Sequence, residues 1–130
     1  MAEEKPSVQR VDQFILEQID TVPHLEALLL AWRKRPRAWS VNDMAAELYV
    51  PPDQAAKVLR DLSARGFLRE TFQSAPQYEY AASDDQDRLM AQVDITYRHE
   101  LIRISRMIHA KAPSALRDFA RAFRFTKEKD

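Results

Sequence analysis

Residues 40–80 read SVNDMAAELYVPPDQAAKVLRDLSARGFLRETFQSAPQYEY. Ser40 suits a helix N-cap, because its hydroxyl can accept a first-turn backbone N–H, and Asp43 complements the positive helix end. In the helix that follows, Met44, Ala45 and Leu48 fall on the inward side. Tyr49-Val50-Pro51 reads as a tight turn, and Pro52 then sits at a helix start, where its missing N–H is not needed. Ala55, Val58, Leu59 and Leu62 share one face of this second helix. Gly66 is placed to end it in a left-handed conformation. Small residues at 45 and 55 let the two helices cross closely. Phe67 and Leu68, with Thr71 or Phe72, predict a strand. Ser74-Ala75-Pro76 predicts a turn, and the alternating Gln77-Tyr78-Glu79-Tyr80 predicts the returning strand.

Helix, tight turn, helix and hairpin form the ground plan of a winged helix-turn-helix, spanning residues 38–82. The flanks are helical. Residues 1–7 carry no pattern and are expected to be disordered. Val8, Val11, Phe14, Ile15 and Ile19 have helical spacing, and Leu25, Leu28, Leu29 and Trp32 mark a second helix, so 8–37 forms the N-terminal helical segment. Ala38-Trp39 predicts a short third strand for the wing sheet. After the hairpin, Ser83 and Asp84-Asp85 open a helix. Leu89, Val93, Tyr97, Leu101, Ile104 and Ile108 then predict one continuous stripe over roughly 25 residues, about 38 Å long. Pro113-Ser114 restarts a last short helix with Leu116, Phe119, Ala120 and Phe123, which closes an 83–124 helical segment. Residues 125–130 read as a charged tail. The fold expected is mainly α with a small β-hairpin wing.

Bulk composition narrows the function classes. At 130 residues, with 45% hydrophobic residues, one core-bearing domain with helical extensions fits. The absence of Cys removes disulfides, thiolate metal sites and cysteine nucleophiles. The longest apolar run, Ala27 to Trp32, is too short to span a bilayer, and the first ten residues lack a signal-peptide core. A cytoplasmic location without membrane insertion is expected. Net charge is zero, where a dedicated nucleic-acid binder usually carries an excess of base. The charges are unevenly placed, however. Arg33, Lys34, Arg35 and Arg37 cluster, residues 38–83 hold six acids against four bases, and residues 98–130 hold nine bases against four acids.

The run from Asp43 to Leu68 resembles the MarR-type winged-helix regulators of bacteria. DMAAEL is similar to their first motif helix, and PPDQAAKVLRDLSARGFL to their recognition helix and the start of the wing. The resemblance implies a homodimeric DNA-binding transcription regulator whose flanking helices form the dimer interface. It also implies a basic residue at the wing tip. Here the tip, Phe72 to Gln77, has no Lys or Arg.

Candidate sites follow from that frame. Gln54, Lys57 and Arg60 are the groove-facing residues, since Gln pairs with adenine and Arg with guanine. The competing reading is a solvated helix face with an Asp53–Lys57 pair. Arg37 and Ser40 are the phosphate-holding candidates beside a helix N-terminus, while Arg33 to Arg35 also suit the negative end of the preceding helix. Phe72 is a candidate protein-partner contact. Phe72, Tyr78 and Tyr80 otherwise read as hairpin packing, with Trp39. Leu89, Val93, Tyr97, Leu101, Ile104 and Ile108 are assigned to dimerisation. The alternatives are an intramolecular core or a small-molecule pocket, and no effector is named by the sequence. His24, His99 and His109 show no ligand partners, so no metal and no cofactor are expected. No nucleophile elbow, phosphate loop or acid/base pair is identifiable, so no enzyme is expected. Two functions remain open: duplex-DNA regulation, and a winged-helix module that binds another protein and little or no DNA.

Overall fold

A computed structural model describes residues 8–72 and 74–111. The elements run α1 (Val8–Gln18), α2 (Val22–Arg33), β1 (Trp39–Ser40), α3 (Val41–Leu48), α4 (Pro52–Ala64), β2 (Leu68–Phe72), β3 (Pro76–Tyr80), α5 (Asp85–His99) and α6 (Leu101–His109). This is a mainly helical fold with a small antiparallel sheet, the winged helix-turn-helix expected from residues 38–82. The segments 1–7, 113–124 and 125–130 lie outside the described residues, as do Gln73 and the Phe72 side chain.

The centre of the molecule is α2. Thr21 caps it, accepting the His24 N–H at 3.3 Å, and Pro23 occupies its first turn. Leu25, Ala27, Leu28, Leu29 and Ala31 are fully buried, because α2 touches α3, α4, β3, α5 and α6. A helix apolar on most sides belongs inside a core rather than at a surface. Around it pack Val11, Ile15 and Ile19 of α1, Met44 of α3, Leu59 and Leu62 of α4, and Met90 and Val93 of α5. Phe14 meets Phe67 edge-on at 5.6 Å, which ties α1 to the start of the wing.

The helix-turn-helix forms for the local reasons the residues suggest. The Ser40 hydroxyl accepts the Asp43 N–H at 3.0 Å. Ala45 and Ala55 are buried where α3 crosses α4. Tyr49 ends α3 at φ 58°, a left-handed conformation that a side chain tolerates at a cost of about 1–2 kcal/mol. Val50 donates to the Ala45 carbonyl at 3.1 Å, and this wrap-back bond offsets part of the cost. Gly66, at φ 86°, ends α4 in the same manner, with Phe67 donating to the Leu62 carbonyl at 3.0 Å.

The sheet order is β1-β3-β2. Leu68 opposes Tyr80, Glu70 opposes Tyr78, and Phe72 opposes Pro76. Trp39 opposes Tyr78 on the other edge of β3, which supplies the third strand read at residues 38–39. Pro76 opens β3 rather than lying in the turn, a position where its missing donor breaks no ladder bond.

Beyond the wing the structure departs from a single long helix. Glu100, at φ −130° and ψ 44°, separates α5 from α6. The break turns Ile104 and Ile108 into the core and leaves Leu101 47% exposed. It also lets Arg103 reach Glu100 at 2.6 Å and Asp12 of α1 at 2.9 and 3.2 Å. Arg103 is 40% exposed, so each of these pairs contributes only roughly 0.2–1 kcal/mol. The six residues read as a dimerisation stripe divide in their exposure. Leu89, Val93, Tyr97, Ile104 and Ile108 are buried within the chain itself, and of the six only Leu101 faces out. Among the described residues, no helix is long and apolar enough to cross a membrane.

Candidate nucleic-acid interface

The outward side of α4 is open to solvent. Ala55, Val58, Leu59 and Leu62 hold its inner side against the core, so Asp53, Gln54, Lys57 and Arg60 are exposed on the other. Gln54, Lys57 and Arg60 recur every three residues and lie together along the helix. They differ in freedom. Arg60 makes no ion pair or side-chain hydrogen bond among the described residues. It lies near the wing strand, where its charge acts on the Tyr78 phenol. Burial pushes that phenol up, Glu70 adds to the rise, and Arg60 opposes it.

Lys57, by contrast, is held. Its Nζ donates to Asp61 Oδ2 at 2.8 Å. The Asp53–Lys57 pair is thus replaced by Lys57–Asp61, while Asp53 Oδ1 accepts the Gln54 N–H at 3.0 Å. The same Asp61 oxygen lies 2.8 Å from His24 Nε2. Burial raises the Asp61 carboxyl, but the bonds and charges of Lys57 and His24 outweigh it and hold the group below the usual carboxylate range.

His24 has close polar neighbours that the spacing of the sequence did not show. His24 is 5% exposed, and its Nδ1 lies 2.6 Å from Thr21 Oγ1. With Asp20 and Asp61 it forms one group whose ligand atoms fall within 4.8 Å of one another. Residue spacing hid this, since Asp61 is 37 positions away from His24. The only local sign was Asp20 four places before His24. His99 and His109 remain exposed on α5 and α6.

The phosphate candidates sit at the α3 end of the motif. Ser40 Oγ accepts its cap bond, which leaves the hydroxyl hydrogen to donate outward. The Arg37 guanidinium stacks 3.8 Å from the Trp39 ring centre and stands 3.7 Å from Asp43 Oδ2. Arg33 and Arg35 of the basic run are paired with acids of α5. Arg33 Nε donates to the buried Asp94 at 2.9 Å, and Arg98 meets the other Asp94 oxygen at 3.0 Å. Arg35 pairs with Asp87 at 2.6 Å, between the Trp32 and Tyr80 rings. Among these four bases Lys34 has no ion pair among the described residues.

On the wing, Arg69 pairs with Glu79 across the strands. Ser74, Ala75 and Pro76 are exposed at the tip and carry no charge. Phe72 ends β2 there. Tyr78 is buried and Tyr80 half-buried, so both pack the hairpin onto the helices. A cleft of about 280 Å³ lies between α2, α3 and α5, lined by Glu26, Leu30, Arg33, Glu47, Tyr49 and Tyr97 among others. Of the six stripe residues only Tyr97 reaches it, and its hydroxyl donates to Glu26 at 2.9 Å.

No protein-family model matches the chain, and no curated protein matches it. Solved structures do. The chain is similar to the homodimeric winged helix-turn-helix DNA-binding domain Mb0332 from Mycobacterium bovis, a possible ArsR-family regulator. That likeness has 18% identity and a TM-score of 0.53, over 79% of this chain and 93% of that one. It is also similar to the MarR family regulator SPO1453 from Silicibacter pomeroyi, at 15% identity and TM-score 0.53, over 95% and 87% of the two chains. A third likeness is to MepR, a regulator of a Staphylococcus aureus multidrug efflux pump, at 14% identity and TM-score 0.52, over 93% and 87%. Identities this low show a shared fold: the winged helix-turn-helix of MarR- and ArsR-type regulators.

Proposed function

We propose that the chain is a winged-helix regulator that binds duplex DNA as a homodimer. One observation carries the reading. The outward side of α4 presents Gln54, Lys57 and Arg60 in line, with Arg60 free of any intramolecular partner among the described residues. Such a helix fits the major groove, where Arg and Gln read base edges and cations meet phosphate. Ser40 and Arg37 then hold the backbone beside the α3 N-terminus. A second copy packs on the apolar residues left exposed on α5 and α6, namely Ile95, Leu101 and Ile102. The homodimeric state of Mb0332 supports a dimer.

The test is selection from random duplexes at two salt concentrations. A recovered sequence motif with affinity falling steeply in salt supports the reading. Recovery of no motif, with no retention at low salt, overturns it.

A second reading has its own observation. Arg33, Arg35, Lys57 and Arg69 are each neutralised inside the chain, and the wing tip is uncharged. That suits a winged-helix module docking on a protein partner, with Phe72 at the contact. Failure of the duplex selection combined with stable capture of a purified partner through the wing supports this alternative.

A further inference from the structure

We propose that Asp20, His24 and Asp61 form a binding site for a divalent transition metal of the zinc class. Three segments supply it. Asp20 follows α1, His24 lies in the first turn of α2, and Asp61 lies on α4. One donor atom from each falls within 4.8 Å of the others. Zinc bonds of about 2.0–2.2 Å at tetrahedral angles set donors roughly 3.3–3.5 Å apart. The His24–Asp61 contact of 2.8 Å has to open slightly, and separations of up to 4.8 Å have to close by up to about 1.4 Å.

The surroundings differ from those of an acidic surface patch. The imidazole is buried, and neither carboxylate is fully exposed. The ring is oriented by a second group. With Nε2 on the metal, Nδ1 carries the proton and donates to Thr21 Oγ1, already 2.6 Å away. Metal-binding histidines are characteristically fixed through their other nitrogen in this way. Two carboxylates neutralise the ion, and three protein donors leave a fourth position for water. With no Cys in the chain, thiolate ligands do not compete.

Cations already sit on both carboxylates: Lys57 on Asp61 at 2.8 Å, and Arg65 on Asp20 at 3.4 Å. A bound metal exchanges with them. Lys57 is mostly exposed, so its ammonium swings out onto the outward side of α4. Metal occupancy thereby frees the one groove-facing cation that the fold otherwise restrains. This consequence rests on the duplex-binding reading of α4; the site itself does not.

The test uses the untagged full chain, cobalt(II) absorbance and zinc calorimetry. The expected result is one ion per chain, with affinity lowered at least about tenfold by Asp20→Asn and by His24→Gln, and unchanged by His99→Gln. If His24→Gln fails to fold, Asp20→Asn decides, since its side chain lies at the edge of the core. Absence of binding, or full binding by Asp20→Asn, overturns the site. Separately, zinc is expected to tighten duplex binding by the unaltered chain and not by Asp20→Asn. Zinc bound at the site without any change in duplex affinity overturns the release of Lys57. Loss of duplex binding under all conditions counts against the proposed function and leaves the cobalt result to judge the site.

Discussion

Lys57 and Arg60 lie on the same side of the same helix, yet they are expected to contribute unequally to duplex binding. Each phosphate contact changes the slope of log K against log salt by about 0.9. At 0.15 M salt one contact is therefore worth roughly fivefold, or ~1 kcal/mol. Among the described residues Arg60 has no ion-pair partner to leave, so Arg60→Ala is expected to cost the full amount, about fivefold, or more if it also reads a base. Lys57 must first leave Asp61, 2.8 Å away and four residues along the helix. Pairs of that kind are worth about 0.3–0.5 kcal/mol when exposed. The net contribution of Lys57 is then about half that of Arg60, and Lys57→Ala costs roughly two- to threefold. Both substitutions flatten the salt slope by about one unit, because both remove a cation from the phosphates. Fluorescence anisotropy of a labelled duplex, titrated across a salt series, measures affinity and slope together. Equal losses for the two variants would refute the restraint of Lys57 by Asp61. Unchanged slopes would refute the placement of α4 on the backbone.

Three further outcomes are expected. Gly66→Ala meets no atom within 4 Å of the added Cβ but keeps φ near 86°, so conformational strain alone should cost about 1–2 kcal/mol in urea denaturation. A cost below a few tenths would show that the α4 terminus is not held left-handed. Burial pushes the Tyr97 phenol up to about 12, and its bond to the Glu26 carboxylate adds to the rise. A phenol raised above its ordinary value of 10.0 stabilises the fold fully below pH 10, and this contribution fades as pH rises toward 12. Tyr97→Phe should therefore lose less stability than the parent over that window, and identical pH profiles would contradict the burial of this group. Leu101→Glu with Ile102→Glu should convert a dimer to a monomer in light scattering while leaving the helical circular dichroism intact; a persistent dimer would place the interface elsewhere.

The motif was legible because its determinants are local. Ser40 caps within three residues, Ala45 and Ala55 mark a close crossing by size alone, and Gly66 is the chain's one glycine, at a helix end. The break at Glu100 was not legible. Apolar residues continue at steps of three and four through it, so the stripe alone gives no sign that the axis changes. Beyond the break Ile104 and Ile108 turn into the core and Arg103 meets Asp12, 91 positions away, contacts that no local pattern announces. Long-range pairing also hid the state of the basic run. Arg33 and Arg35 look available beside their neighbours, but Asp94 and Asp87 take them from the far side of the wing. His24 and Asp61 met for the same reason, through the packing of α2 against α4. Local patterns thus described which residues α4 exposes and, through the Lys57–Asp61 pair four residues apart, which one is held, while tertiary ion pairs set the state of the basic run.

The central claim is that α4 is the surface that meets DNA. Amide chemical-shift mapping of the isotopically labelled chain, titrated with a duplex recovered by selection, tests it most directly. The largest shifts are expected at residues 53–61, with smaller ones at Arg37 and Ser40 and little change in α6. Shifts confined to α5 and α6, or to the wing alone with α4 unperturbed, would contradict it.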